Sequence, residues 1–116
     1  MKLIFIYNAK STISNRLFDY AHKIISPSSY SCDLCKLTHS TFGEKEIWRK
    51  FKDETNYILT FYHKDDEIAK EIETKWNNQI EFPVILDENF ELIMDKNTIS
   101  KFSSVEELIG KLKEII

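Results

Sequence analysis

Residues 26–35 of the chain read Ser-Pro-Ser-Ser-Tyr-Ser-Cys-Asp-Leu-Cys and contain both of its cysteines, Cys32 and Cys35. This segment interrupts an alternation of strand and helix patterns. Pro27 ends the helix predicted before it, because the residue before a proline is disfavoured in the α region. Residues 28–31 are polar, which predicts a short edge strand or an extended crossing. Six extended residues span about 20 Å, so the segment is long enough to carry the chain along a sheet and deliver Cys32 to its other end.

The two cysteines are spaced C-x-x-C, and this spacing permits three kinds of chemistry. Such a pair cycles between dithiol and disulfide, supplies two thiolates to a metal, or stays reduced as two small apolar groups. The cytoplasm keeps thiols reduced, so a purely structural disulfide is not expected there. The pattern therefore favours a reactive or a metal-bound pair.

The first residues of the chain predict neither a secretory signal nor a membrane span. Residues 3–7, Leu-Ile-Phe-Ile-Tyr, form an apolar run far shorter than the roughly 20 residues that cross a bilayer. One lysine precedes the run and no small-residue cleavage site follows it. We therefore expect a cytoplasmic protein without a membrane partner.

The composition predicts one globular domain over residues 1–116. Hydrophobic residues make up 42% and aromatic residues 13%, enough to form a core. The formal net charge is −3 and no lysine and arginine cluster stands out, which argues against nucleic acid as a partner. The two glycines, Gly43 and Gly110, belong to no phosphate-binding loop, so no nucleotide partner is expected either.

Hydrophobic periodicity predicts alternating strands and helices along the chain. Apolar runs predict strands at 3–7, 56–63, 82–86 and 91–94, the last two as a hairpin across a polar turn. Apolar residues at three- and four-residue spacing predict helices that begin near Ser11 or Thr12, near Asp65 or Asp66, and at a capping box formed by Ser103 and Glu106.

A helical turn at 36–39 and a longer helix are predicted between the cysteines and the second long strand. Thr41 and Glu44 match a capping box for the longer helix. Three apolar residues then fall on one face of it: Ile47, Trp48 and Phe51. We interpret that tryptophan, and Trp76 in the next helix, as core residues rather than ligand platforms.

The order of elements, the cysteine pair and a proline at the hairpin resemble the thioredoxin-like superfamily over nearly the whole chain. The residues that carry the resemblance are the strand at 3–7, Cys32-Asp-Leu-Cys35 and Phe82-Pro83. The resemblance implies an α/β fold with a central mixed sheet of about four strands, ordered β-α-α-β-α-β-β-α along the chain and flanked by helices. It also implies that Pro83 is cis and packs against the cysteines.

The chain is also similar to a group of small, uncharacterised bacterial proteins with the pattern S-P-x-x-Y-x-C-x-L-C-x-L-T. The matching residues are Ser26, Pro27, Tyr30, Cys32, Leu34, Cys35, Leu37 and Thr38. Thioredoxins place their cysteines directly after a hydrophobic strand, and this chain does not. Either residues 28–31 are the remnant of that strand, or the pair lies in an insertion and residues 8–11 occupy the usual active corner.

The resemblance implies thiol–disulfide chemistry with a catalytic site formed by Cys32, Cys35 and Pro83. Cys32 is the expected attacking thiol, and Cys35 is expected to resolve the mixed disulfide. Lys36 favours the attacking thiolate and Asp33 opposes it, through their charges. The expected partner is a protein or a small thiol, with no cofactor.

Two other hypotheses stay open. A zinc site would use a Cys2His2 set, with His63 as a further candidate ligand; the set is Cys32, Cys35, His39 and His22. A binding module would keep both cysteines buried and inert, and would use the corner near Pro83 as its contact surface. Residues 63–66, His-Lys-Asp-Asp, are interpreted as a helix cap and dipole partner rather than as acid–base catalysts.

Overall fold

The computed structural model describes residues 2–9, 33–40 and 43–115. Its strands are β1 Lys2–Tyr7, β2 His39–Ser40, β3 Gly43–Glu44, β4 Ile58–His63, β5 Val84–Asp87 and β6 Leu92–Met94. Its helices are α1 Asp33–Thr38, α2 Glu46–Glu54, α3 Glu67–Lys75, α4 Lys96–Ser100 and α5 Val105–Ile115. The helix expected from Ser11 or Thr12 and the crossing at 28–31 lie outside the described residues.

Four of the strands form one mixed sheet in the order β4-β1-β5-β6. β1 runs parallel to β4 and antiparallel to β5, and β5 and β6 form the predicted antiparallel hairpin. β1 is buried from Leu3 to Tyr7, as expected of a strand covered on both faces. The prediction of an α/β fold with a four-stranded mixed sheet flanked by helices is therefore confirmed.

Alternate residues of β1 enter two separate cores on opposite faces of the sheet. Leu3, Phe5 and Tyr7 pack with residues of α1, α2, α4 and α5. Ile4 and Ile6 pack with residues of α3 and with Phe82, Val84 and Leu86. This division follows from the two-residue period of a strand, which sends successive side chains to opposite faces.

The predicted core role of the two tryptophans is confirmed for Trp48 and holds in part for Trp76. Trp48 is fully buried, and its ring lies edge-on to Phe5 at 5.8 Å between centroids. Trp76 is partly buried against the α3 core and donates from Nε1 to the Phe90 carbonyl at 3.1 Å. Ile47, predicted on the same face as Trp48, is instead 43% exposed.

The predicted capping box of Thr41 and Glu44 is wrong. Gly43 and Glu44 form β3, which pairs with β2, and α2 begins at Glu46. Gly43 has φ of 103°, a left-handed conformation that glycine adopts readily and that suits a tight turn. The helical turn predicted at 36–39 also shifts, because the helix occupies Asp33–Thr38 and His39 already belongs to β2.

The cap of α5 lies one residue later than predicted. Ser104 Oγ accepts from the Glu107 N–H at 3.2 Å, and Glu107 Oε1 accepts from the Ser103 N–H at 3.2 Å. The first is an N-cap bond; the second comes from the residue before the cap, and both involve Glu107 rather than Glu106. The short helix α4 was not predicted; Asp95 caps it by accepting from the Thr98 N–H at 2.7 Å.

None of the helices in the described part of the chain is long and apolar enough to cross a membrane.

Candidate functional site

The carboxyl ends of the two parallel strands meet at one edge of the sheet. Tyr7 ends β1 and His63 ends β4, and the two are register partners. Ile6 pairs with Val84 at the start of β5, so Pro83 falls level with Tyr7 in the same row. In α/β sheets, ligands and reactive groups gather at the carboxyl ends of parallel strands. This edge is therefore the candidate functional site.

The Phe82–Pro83 peptide bond is cis, as predicted. It directly precedes β5, and Phe82 is 7% exposed in the core that α3 covers. The rest of the prediction, that Pro83 packs against the cysteines, stays a prediction, because Cys32 lies outside the described residues.

Cys35 lies in the first turn of α1 and is 7% exposed. It belongs to the same core as Tyr7, together with Leu34 and Leu37 of its own helix. Cys35 is disulfide-bonded, and no free thiol occurs among the described residues. The chain's other cysteine, Cys32, lies outside them.

The last residue of α1 connects this helix to the sheet edge. Thr38 is fully buried, and its hydroxyl donates to the Leu34 carbonyl at 2.9 Å. His39 Nδ1 lies 2.8 Å from the same oxygen, and the ring of His39 lies edge-on to that of Tyr7. We refer to Tyr7, Thr38 and His39 as the Thr38 cluster.

Thr38 Oγ1 has one proton to donate and two lone pairs that accept. The Leu34 carbonyl can only accept that proton, whereas His39 Nδ1 donates to Thr38 or accepts from it according to the tautomer of the ring.

Tyr7 is a neutral phenol in this cluster. Burial raises the pKa of the Tyr7 phenol well above its usual range, and the nearby Glu44 charge raises it further, while the bond with Thr38 acts in the opposite direction. Its ring lies edge-on to that of His39 at 6.2 Å and 6.3 Å from that of His63, measured between centroids. The two histidines thus flank Tyr7 at the end of β1.

His63 and Asp66 form a second polar pair at this edge. Asp66 Oδ2 accepts from the His63 backbone N–H at 2.8 Å and lies 3.6 Å from Nδ1 of the same residue. Asp66 occupies the N-cap position of α3, as predicted, but its side chain makes no capping bond to that helix. The carboxylate instead closes the turn that follows β4.

Of the residues of the zinc hypothesis, the structure describes Cys35, His39 and His63. His22 and Cys32 lie outside the described residues, Cys35 is disulfide-bonded, and His39 Nδ1 faces Thr38. Among the described residues, no group of three or more metal-ligating side chains is clustered.

Next to this edge lies an open cavity of about 350 Å³. Its lining residues are Asn8, Lys64, Glu73, Ile80, Glu81, Phe82 and Lys96. Lys96 Nζ lies 3.7 Å from Glu81 Oε2, so the charges in the cavity are partly matched. The cavity gives a partner space beside Pro83 without a strong preference for one sign of charge.

Tyr7 and Thr38 are the site residues that the sequence did not predict. Thr38 had one available signal, since it follows Leu34 by four residues, the spacing at which a helical threonine bonds back to a carbonyl. Tyr7 had only its position as the last residue of a buried strand.

Comparisons of the chain with protein-family models, with curated proteins and with solved structures found no match. The chemistry of this edge is therefore inferred from its own residues.

Proposed function

We propose that the chain is a cytoplasmic, thioredoxin-like thiol–disulfide redox protein whose reactive pair is Cys32 and Cys35. The observation that carries the proposal is the environment of Cys35. This residue is disulfide-bonded and 7% exposed, and it lies one helical turn before the Thr38 cluster at the sheet edge. A resolving cysteine has this character, since it is sheltered from solvent and acts on a neighbouring sulfur.

The arrangement of the sheet supports the thioredoxin-like part of the proposal. β1 pairs in parallel with β4, the hairpin β5–β6 follows α3, and α5 ends the described chain. The cis Phe82–Pro83 bond opens the hairpin in the same row as Tyr7. A parallel strand pair, a helix, the hairpin and a last helix follow one another as the resemblance implies, while β2, β3 and α4 are additions to that order.

The reaction is an exchange of two electrons between two sulfur pairs. In the reducing direction, the Cys32 thiolate attacks a partner disulfide, forms a mixed disulfide and releases one partner thiolate. Cys35 then loses its proton and attacks Cys32, which forms the protein disulfide and releases the second partner thiolate. The protein is oxidised and the partner, a protein disulfide or a small disulfide such as oxidised glutathione, is reduced to two thiols.

The proposal is tested first by thiol counting and mass measurement on the purified protein, with and without reductant and chelator. We expect two thiols after reduction, none after oxidation, and a mass lower by two hydrogens in the oxidised form. Titration with glutathione should give a potential of about −120 to −270 mV, the range of catalytic pairs.

The roles of the two cysteines are separated by a matched pair of variants. Cys35→Ser should accumulate mixed disulfides on Cys32, whereas Cys32→Ser should accumulate few, because its remaining thiol is buried. Equal trapping by both variants would contradict the assigned roles. If neither thiol reacts in the folded protein, the pair is inert and surface binding is the function to seek. One equivalent of bound zinc per chain would point to the metal site instead.

A further inference from the structure

We propose that strand β4 pairs edge to edge with the same strand of a second copy of the chain, and that the two copies form a symmetric dimer with one continuous sheet. β4 lies at the end of the four-stranded sheet, and among the described residues it pairs with β1 alone. We refer to the side of residues 58–62 that faces away from β1 as the open edge. The inference goes beyond the proposed redox function and does not depend on it.

Two hydrogen bonds at the end of β4 show which of its backbone groups face the open edge. Along a strand, the backbone N–H and carbonyl groups of successive residues point to opposite sides. Lys64 points toward β1, since its N–H donates to the carbonyl of Ala9, just after that strand, at 3.2 Å. His63 points away from β1, and its N–H donates to Asp66 Oδ2 at 2.8 Å. The odd-numbered residues of β4 therefore face the open edge.

Side chains of the same chain occupy both ends of the open edge and leave two residues between them. The N–H of Tyr57 donates to Thr55 Oγ1 at 3.3 Å, as the N–H of His63 does to its aspartate. Between these ends, the outward N–H groups of Leu59 and Phe61 have no partner among the described residues. Such unpaired strand amides are a template for another strand.

The two residues with unpaired amides are complementary to the same two residues of a second copy. In antiparallel pairing, every second pair of opposite residues exchanges both N–H and carbonyl bonds. Leu59 of one copy lies opposite Phe61 of the other, and the twofold axis repeats this pair, so all of their outward groups are bonded. Thr60 lies on the axis. A register shifted by two residues leaves a carbonyl unpaired, because the N–H groups of Tyr57 and His63 are already bonded.

The side chains along the open edge suit this register. Ile58 is 63% exposed, and it lies opposite Tyr62 of the second copy, which gives it an apolar neighbour. The residues of the open edge carry no charge, so no like charges meet across the axis. On the other face of the sheet, Lys52 lies 5.2 Å over the Phe61 ring, and its ammonium group is ion-paired with Glu44.

The opposite edge of the sheet, formed by β6, lacks these properties. β6 has three residues and is flanked by Glu91 and Asp95. A short strand with charged residues is a common protection of a sheet edge against pairing. β4 has six residues and contains no proline, glycine, lysine, arginine or carboxylate. The sheet is therefore protected at β6 and open to a second strand at β4.

The dimer brings a second chain to one side of the candidate functional site. His63 ends β4 at that site, and in the proposed register it lies opposite Tyr57 of the second copy. The paired strands are antiparallel, so the two candidate sites of the dimer lie at opposite ends of the β4 pair.

The first experiment measures the mass of the purified protein by sedimentation velocity over a range of concentrations. Reductant is present, so that no disulfide joins the chains. We expect a reversible equilibrium between the monomer and a species of twice the chain mass. Ile58→Lys should raise the dissociation constant about tenfold, because it removes two symmetric apolar cross-strand pairs. Thr60→Lys should raise it further, since two ammonium groups then meet on the axis.

The matched controls place the same new charge at exposed apolar residues elsewhere. Ile47→Lys alters a residue that is 43% exposed and lines the groove between α2 and α5. Leu92→Lys alters a residue of β6 that is 36% exposed. Both should leave the dissociation constant within about twofold of the wild type. Far-UV circular dichroism confirms that each variant is folded.

The second experiment needs no variant and reads the open edge directly. Amide hydrogen exchange, followed by NMR, should show that protection of Leu59 and Phe61 increases with protein concentration. The N–H of Thr60 faces β1, so its protection should not change with concentration.

Three results would overturn the inference. The first is a protein that stays monomeric at every concentration. The second is a dimer that Leu92→Lys or Ile47→Lys weakens as much as Ile58→Lys does. The third is protection of Leu59 and Phe61 that is the same at all concentrations, which would mean that another segment of the same chain covers the open edge; the first to test would be residues 28–31, which the sequence predicts as an edge strand or a crossing.

Discussion

Replacing Trp48 by phenylalanine should cost little stability, although the side chain is fully buried. It packs against Phe5 and Phe51, and its Nε1 has no hydrogen-bond partner among the described residues. A buried donor left unsatisfied costs about 1–3 kcal/mol, and phenylalanine removes this donor. It also removes two ring carbons, which costs about 1.6 kcal/mol at roughly 0.8 kcal/mol per buried carbon. Because the two terms nearly cancel, we expect the free energy of unfolding to change by less than about 1.5 kcal/mol.

The matched variant is Trp76→Phe. Unlike the indole of Trp48, the indole of Trp76 makes a hydrogen bond that this substitution removes. Trp76 is half-buried, and its Nε1 donates to the Phe90 carbonyl at 3.1 Å. Loss of this bond costs about 0.5–1.5 kcal/mol. The two carbons are only partly buried, so their loss adds roughly 0.8 kcal/mol. The more exposed tryptophan should therefore be the more costly one to replace.

The assay is urea unfolding followed by far-UV circular dichroism, with each protein in the same redox state. Each single variant retains one tryptophan, whose fluorescence gives a second probe of the transition. Trp48→Ala is the control for burial and should cost about 3–5 kcal/mol. If Trp48→Phe costs more than about 3 kcal/mol, or more than Trp76→Phe, then the indole N–H is not an unsatisfied donor and the reasoning is refuted.

Two further predictions concern helix caps. Ser104→Ala should lower the free energy of unfolding by about 1 kcal/mol, because it removes the N-cap bond of α5. Ser103→Ala should lower it by clearly less. If urea unfolding gives the reverse order, Ser103 is the N-cap, as the sequence predicted. The bonds that Asp95 accepts from the Thr98 backbone and side chain lower the pKa of the Asp95 carboxyl. The stabilisation by this carboxylate is therefore present above the ordinary carboxyl pKa. It is lost as the pH falls through the lowered pKa of the folded protein. The stability difference between wild type and Asp95→Asn should thus be constant from pH 5 to 7 and should shrink below about pH 4; a difference that stays constant in acid would contradict the assigned bonds.

The sheet could be predicted because its strands carry strong local patterns. The apolar run that became β1 lacks alternation, and a strand buried on both faces is the structure that such a run favours. The second long strand and the hairpin were found within one or two residues of β4, β5 and β6. The pairing of β1 between β4 and β5 could be anticipated only from the resemblance, because nothing local specifies which strands become neighbours.

The errors arose where tertiary contacts override a local signal. Thr41 and Glu44 have the spacing of a capping box, but Glu44 is drawn into β3 by pairing with His39 and by an ion pair between its carboxylate and Lys52 Nζ, 2.5 Å apart. Ile47 lies on the predicted apolar face of α2 and remains 43% exposed. An apolar spacing predicts which residues share a helix face, and not how much of that face the neighbouring elements cover.

Tertiary contacts that no local sequence pattern indicates also form the candidate site. Tyr7, Thr38 and His39 each have an ordinary local explanation, as a strand end, a threonine bonding back to its own helix and a buried histidine. No local pattern brings the ring of Tyr7 to within 6.2 Å of that of His39, because that approach depends on how α1 packs in the core with the end of β1. Thr38 is different, since its spacing of four residues from Leu34 is a local signal for the bond that its hydroxyl donates to that carbonyl. The sequence can therefore indicate a bond within α1, and it cannot indicate the neighbours that α1 acquires from the sheet.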